Sequence, residues 1–236
     1  MKAVILAGGL GKRLRPITNS MPKPLIPICG KPIIVWQIEW LKDHGVNEFV
    51  ICAGYLREKI IAALGNGSTL GVKIGYVIEE NPLGTGGAVK NAELFLRGEE
   101  GFFVINGDIL TNLNPLKLVK SMDGEVVGAI AITPLRSPYG IVSFDSKGYI
   151  KSFTEKPMLR EYWINAGVYY FRPKIFEYLP SRGDIETTAL PLLAERGLLK
   201  AVKYVDIMWK SIDLSLIHIS EPTRPRLISY AVFCLK

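Results

Sequence analysis

The chain has 236 residues, 48% hydrophobic and 22% charged, with a formal net charge of +7. No apolar run approaches the ~20 residues that cross a bilayer, and the N-terminal AVILA lacks both the length and the cleavage site of a signal peptide. No membrane association is expected and a cytoplasmic protein is. Lys and Arg are scattered, without the basic block or motif of a nucleic-acid binder, so no nucleic-acid partner is expected and the charge suits small polyanions or a solvated surface.

In chain order, KAVIL reads as a buried strand. KPIIVWQIEWLKDHG reads as a helix capped at Gly45. EFVICA, VKIGYVIE and GFFVIN read as further strands, with REKIIAAL and GGAVKNAELFL as the helices between them. Such alternation predicts an α/β domain whose sheet is largely parallel and covered by helices on both faces. After residue 125 the texture becomes β-rich. VVGAIAITPL, YGIVSFD, GYIKSFTEKP and INAGVYYF read as strands added to the same sheet, with Gly148 at a positive-φ hairpin position. PKIFEYL and IETTALPLLAERG read as helices. Phe153, Tyr169 and Tyr170 read as core. Cys29, Cys52 and Cys234 form no CxxC pair, so neither a zinc site nor a disulfide framework is indicated.

In open α/β sheets, ligands sit beyond the carboxyl ends of the strands, and three loops there are unusual. The first, LAGGLGKRLRPITNSMPKPL, puts glycines next to Arg13, Arg15 and Lys23. Glycines let backbone N–H groups approach a phosphate, and the cations complement it. Neither a Walker loop nor a GxGxxG fingerprint is present. The second loop is EENPLGTGGA, with Thr85 near a helix N-cap. The third, NGD, places Asp108 just past a strand.

These strings, with EKP and NAG further on, closely resemble the signature of the sugar-1-phosphate nucleotidylyltransferases, also called NDP-sugar pyrophosphorylases. The resemblance spans almost all of residues 1–213 and is strongest to mannose-1-phosphate guanylyltransferase-like members. It implies a Rossmann-like, three-layer α/β/α nucleotidyltransferase fold with a mixed, mostly parallel sheet. It also implies an enzyme that joins an NTP to a sugar 1-phosphate and releases pyrophosphate, with Mg²⁺ as cofactor.

By that resemblance Arg13 grips the triphosphate and Lys23 meets the α-phosphate side. Leu6, Ala7, Gly8, Gly9 and Gly11 lie against the nucleotide, as do Glu79, Pro82, Gly84 and Thr85. Gly140, Glu155, Lys156 and Asn165 hold the sugar phosphate, and Asp108 and Asp213 hold the metal. Ser211 stands where the commoner family pattern carries its second metal-binding Asp; Asp213 fits the alternative pattern. At the base-reading position Glu79, an ionised carboxylate only accepts hydrogen bonds. That suits the adjacent N–H donors of guanine and favours GTP with mannose 1-phosphate. Glu80 or backbone groups are alternative readers. The rival substrates are UTP or dTTP with glucose 1-phosphate, and the rival class is a non-catalytic, sugar-nucleotide-sensing regulatory subunit. Some relatives oligomerise through a C-terminal part, so a homo-oligomer is compatible with the resemblance.

Residues 214–236, LSLIHISEPTRPRLISYAVFCLK, resemble the conceptual translation of a sequencing-library adapter and are expected to be a non-native tail that truncates the domain after Asp213. The tail carries Arg224, Arg226 and Lys236 against Glu221, so the remaining chain has a charge of +5. His44 is then the sole histidine, which leaves almost no material for histidine chemistry.

Overall fold

In the computed structural model, which describes residues 1–212, seven strands form one central sheet. They are β1 (Lys2–Ala7), β2 (Glu48–Ala53), β3 (Lys73–Ile78), β4 (Phe102–Asn106), β5 (Gly128–Arg136), β6 (Met158–Phe171) and β7 (Leu199–Lys203). Their order across the sheet is β7-β5-β6-β4-β1-β2-β3. Strand β6 runs antiparallel to both its neighbours, and every other pairing in the sheet is parallel. The expected mixed, mostly parallel sheet is therefore present.

Alternate residues of each strand face opposite sides. Ala3, Ile5 and Ala7 of β1 join one core, with Ile34, Ile38 and Leu41 of α1 (Ile33–Lys42) and Ile60 and Leu64 of α2 (Arg57–Leu64). Val4 faces a second core. It includes Val89 of α3 (Gly84–Asn91), Leu96 of α4 (Glu93–Leu96) and, beyond α5 (Leu116–Lys120), Leu193 of α6 (Ala189–Glu195). Each fully buried aliphatic side chain contributes roughly 1.5–3 kcal/mol. No side-chain cap closes the N-terminus of α1, so burial of its apolar face fixes that helix. Gly45, at φ 86, ends the turn as expected.

Several sequence expectations are corrected. The hairpin Ile141–Phe144 with Ile150–Thr154 pairs only with itself and stands apart from the main sheet. Its Gly148 has φ 86, as the turn requires. Phe153 lies on this hairpin and is exposed, whereas Tyr169 and Tyr170 are core. The segment GGAVKNAELFL breaks at Ala92 into α3 and α4. PKIFEYL forms a 3-10 turn, and IETTALPLLAERG is helical only from Ala189 because the residues before it are bonded to α3. Cys52 is buried and free. Among the described residues no helix is long and apolar enough to cross a membrane.

Candidate active site

The loops after β1, β3 and β4 meet at the carboxyl edge of the sheet around a cavity of about 410 Å³, within the usual range for small-molecule sites. Leu6, Ala7, Gly8, Gly9, Gly11, Arg13, Lys23, Glu79, Pro82, Gly84, Thr85 and Asp108 all line it. The nucleotide, catalytic and first metal-binding residues expected from sequence thus share one hollow.

The opening loop is shaped by its glycines and anchored by Leu14. Gly11 has φ 56, and a Cβ there would sit 2.8 Å from Thr18 Cγ2, so both the backbone conformation and the space exclude a side chain. The Thr18 hydroxyl donates to the Gly11 carbonyl at 2.9 Å. Leu14 is buried with Ile26, Ile28 and Ile33, which pins the 3-10 turn Lys12–Leu14 that carries Arg13. A second 3-10 turn, Lys23–Leu25, presents Lys23.

Lys23 Nζ donates to Asp108 Oδ2 at 2.7 Å. The turn beneath Asp108 is held from three sides. Gly107 N donates to the Leu6 carbonyl at 3.0 Å, and Ile212 N donates to the Asp108 carbonyl at 2.9 Å. Gln37, buried on α1, donates through Nε2 to the carbonyls of both Asn106 and Ile109, at 2.9 and 2.8 Å. A Cβ on Gly107 would lie 2.3 Å from the Leu6 oxygen, so only glycine lets β1 and β4 end this close together. The strand Trp209–Ser211 pairs antiparallel with Ile109–Thr111, which puts Ser211 opposite Ile109. Asp213 lies outside the described residues, as does the tail 214–236.

Glu79 follows β3 and packs against the glycine loop; a Cβ on Gly8 would come within 2.9 Å of its Oε1. Its Oε2 accepts from Leu83 N at 3.2 Å. Burial pushes its carboxyl above the ordinary glutamate range, and the Leu83 N–H partly offsets that. Thr85 lies near the N-cap, as expected, as the second residue of α3, whose first N–H groups are already occupied. Thr85 N donates to Asp184 Oδ1 at 3.1 Å, and Gly86 N and Gly87 N donate to the Gly183 carbonyl. The glycines of GTGG admit this segment: a Cβ on Gly84 would meet Gly183 C at 2.6 Å. This helix start therefore offers its donors to the protein rather than to a phosphate.

Gly140, Glu155, Lys156 and Asn165 do not line the cavity. The first three gather at the hairpin. A Cβ on Gly140 would sit 3.0 Å from Glu155 Oε2, and Lys156 Nζ lies 3.6 Å from Glu155 Oε1. Lys156 has φ 46, a left-handed conformation that costs a non-glycine residue about 1–3 kcal/mol. Asn165 sits where β6 shifts register, and its side chain bonds to Tyr169. Sequence reasoning missed Asn106, Asp184 and Lys12, which also line the cavity. Asn106 stood in the quoted NGD string and Lys12 in the opening loop, but nothing local marked Asp184.

Residues 2–210 match the family described as Nucleotidyl transferase. The UTP–glucose-1-phosphate uridylyltransferase of Synechocystis sp. is 35% identical over 232 residues, covering 90% of this chain and 60% of its own length. The mannose-1-phosphate guanylyltransferase catalytic subunit beta of Danio rerio is 37% identical over 213 residues, covering 86% of this chain and 59% of its own. The crystal structure of HddC from Yersinia pseudotuberculosis complexed with GMP-PN superposes with a TM-score of 0.71 at 29% identity, covering 99% of this chain and 98% of that one. The chain belongs to the nucleotidyl transferase family, as its sequence motifs and its sheet both indicate. It spans about three-fifths of the length of the curated relatives it matches.

Proposed function

We propose that the protein transfers a nucleotidyl group from an NTP to a sugar 1-phosphate, with GTP and mannose 1-phosphate as the preferred pair. The observation that carries this reading is the convergence of Arg13, Lys23 and Asp108 with the buried acceptor Glu79 around one cavity. Both substrates are anions, and two unit charges ~4 Å apart interact by ~4 kcal/mol at an effective dielectric near 20. Arg13, Lys23 and Lys156 offset that repulsion, and Arg13 stabilises the charge that develops on the departing pyrophosphate. The sugar phosphate is itself the nucleophile, so alignment and electrostatics suffice and no covalent enzyme intermediate is required.

Asp108 is the residue that would hold Mg²⁺. Among the described residues no group of three or more acidic, His or Cys side chains forms a metal cage. Mg²⁺ characteristically binds through one or two carboxylates plus substrate phosphates, so a single carboxylate beside a phosphate-binding loop fits it. When bound, the ion neutralises phosphate charge. Asp213 is proposed as the second carboxylate.

Glu79 supports guanine because a carboxylate accepts from adjacent N–H donors. The guanylyltransferase name of the Danio rerio relative and the GMP-PN ligand of HddC agree with that choice. The uridylyltransferase name of the Synechocystis relative supports the alternative, UTP with glucose 1-phosphate. A regulatory, non-catalytic role would not require the phosphate-gripping residues to be kept. Assaying each NTP against several sugar 1-phosphates with Mg²⁺, with pyrophosphate as the readout, decides among them. GTP with mannose 1-phosphate should give the highest kcat/KM, and a higher value for UTP or dTTP would overturn the assignment to Glu79.

A further inference from the structure

Thr85 at the nucleotide cleft and Asn165 at the sugar side are joined by a continuous hydrogen-bonded path. Thr85 Oγ1 donates to Glu186 Oε2 at 2.6 Å, and Tyr169 Oη donates to Glu186 Oε1 at 3.2 Å. Asn165 Nδ2 donates to Tyr169 Oη at 2.6 Å. The donor inventory sets each direction. A carboxylate only accepts, so the Tyr169 hydrogen goes to Glu186 and a phenol lone pair is left for Asn165. Desolvation, and then the charge of Glu186, push the Tyr169 phenol above its ordinary range, so the hydrogen stays in place.

The ends of the path are constrained too. The Tyr169 ring is fully buried and stacks on Phe171 with centroids 5.6 Å apart. Asn165 Oδ1 accepts from Gly167 N at 2.9 Å, and Gly167 adopts φ 69 where β6 shifts register. The amide orientation is thereby set, and the second Nδ2 hydrogen points to no partner within this path. At the other end Thr85 Oγ1 accepts from Ile185 N at 2.9 Å. The Asn106 side chain, on the cavity wall, also reaches the Tyr169 hydroxyl.

We propose that Glu186 and Tyr169 are positioning residues that couple the nucleotide side of the cleft to the sugar-phosphate side. Nucleotide bound against Thr85 steadies the Thr85–Glu186 bond, which holds Tyr169 and presents Asn165 to the sugar. By thermodynamic linkage the effect is reciprocal: each ligand raises affinity for the other by the same factor. This inference rests on the nucleotidyltransferase reading above and adds to it the residues that make the two substrates bind cooperatively.

The test is calorimetric, on the full chain. A non-hydrolysable GTP analogue and mannose 1-phosphate are titrated separately and then each in the presence of the other. The wild type should show about tenfold mutual enhancement, inside the usual range for coupled sites. Tyr169→Phe should bring that factor close to one while affinity for the nucleotide alone stays within twofold. Thr85→Val should also lower it, and the double variant should lose no more than Tyr169→Phe does. Glu186→Gln, which replaces one accepting oxygen with a donor, gives the same readout if Tyr169→Phe does not fold. A wild-type chain that binds neither ligand removes the functional reading and this inference together. Normal binding with undiminished coupling in Tyr169→Phe, or additive losses in the double variant, overturns this inference alone.

Discussion

At the residue scale the proposed function rests on two side chains, and both make sharp predictions. Arg13 sits on a turn pinned by the buried Leu14 and lines the cavity. Arg13→Ala should lower kcat by ~10²-fold or more, as for loss of a preorganised transition-state donor; steady-state pyrophosphate release measures it, and normal turnover would remove Arg13 from that role. Glu79 shows the tension between binding and stability. Its carboxyl is raised above the ordinary range by burial, so its contribution to stability is fully present below that range and is lost as pH rises through the raised folded value. Glu79→Gln keeps an oxygen for the Leu83 N–H and removes the buried charge. It should therefore melt higher than wild type at pH 7, with the gap closing as pH falls, while preference for GTP over UTP declines. Thermal melts across pH and paired kinetics check both halves.

At the element scale, the ends of β1 and β4 are the platform for Asp108, and α1 holds that platform through one residue. Gln37 spans the two carbonyls that flank the Gly107–Asp108 turn. Gln37→Leu should cost about 1–3 kcal/mol by leaving buried acceptors unpaired and should raise the Mg²⁺ concentration needed for half-maximal activity. A melt and a Mg²⁺ titration measure these, and an unchanged Mg²⁺ requirement would show that the turn does not need the clamp. Much at this scale was legible in the sequence. The buried strands announce themselves as short apolar runs, and the opening loop carries its phosphate-binding character within a score of contiguous residues. What was not legible arrives from far along the chain. Asp184 and Glu186 reach Thr85 across 99 and 101 residues, and no local pattern encodes such a meeting. Nor does strand alternation say which strands pair, so the hairpin at Ile141–Thr154 could not be told from an extension of the main sheet.

On the scale of the whole molecule, the fold keeps the two proposed subsites apart. Strands β1 to β4 bring the three loops of the nucleotide cleft to one edge, whereas β6 and the hairpin supply Gly140, Glu155, Lys156 and Asn165. Strand β6 carries both Asn165, at its register shift, and Tyr169, near its C-terminal end, which bonds to Glu186. The central claim is that one hollow aligns a nucleoside triphosphate for direct attack by a sugar phosphate. Pyrophosphate formation by the full chain, with GTP, mannose 1-phosphate and Mg²⁺ each omitted in turn, tests that claim most directly. Direct transfer requires all three together and yields pyrophosphate and the nucleotide sugar in equal amounts. Pyrophosphate released from GTP without any sugar phosphate, or no release with any NTP and sugar 1-phosphate pair, would contradict it.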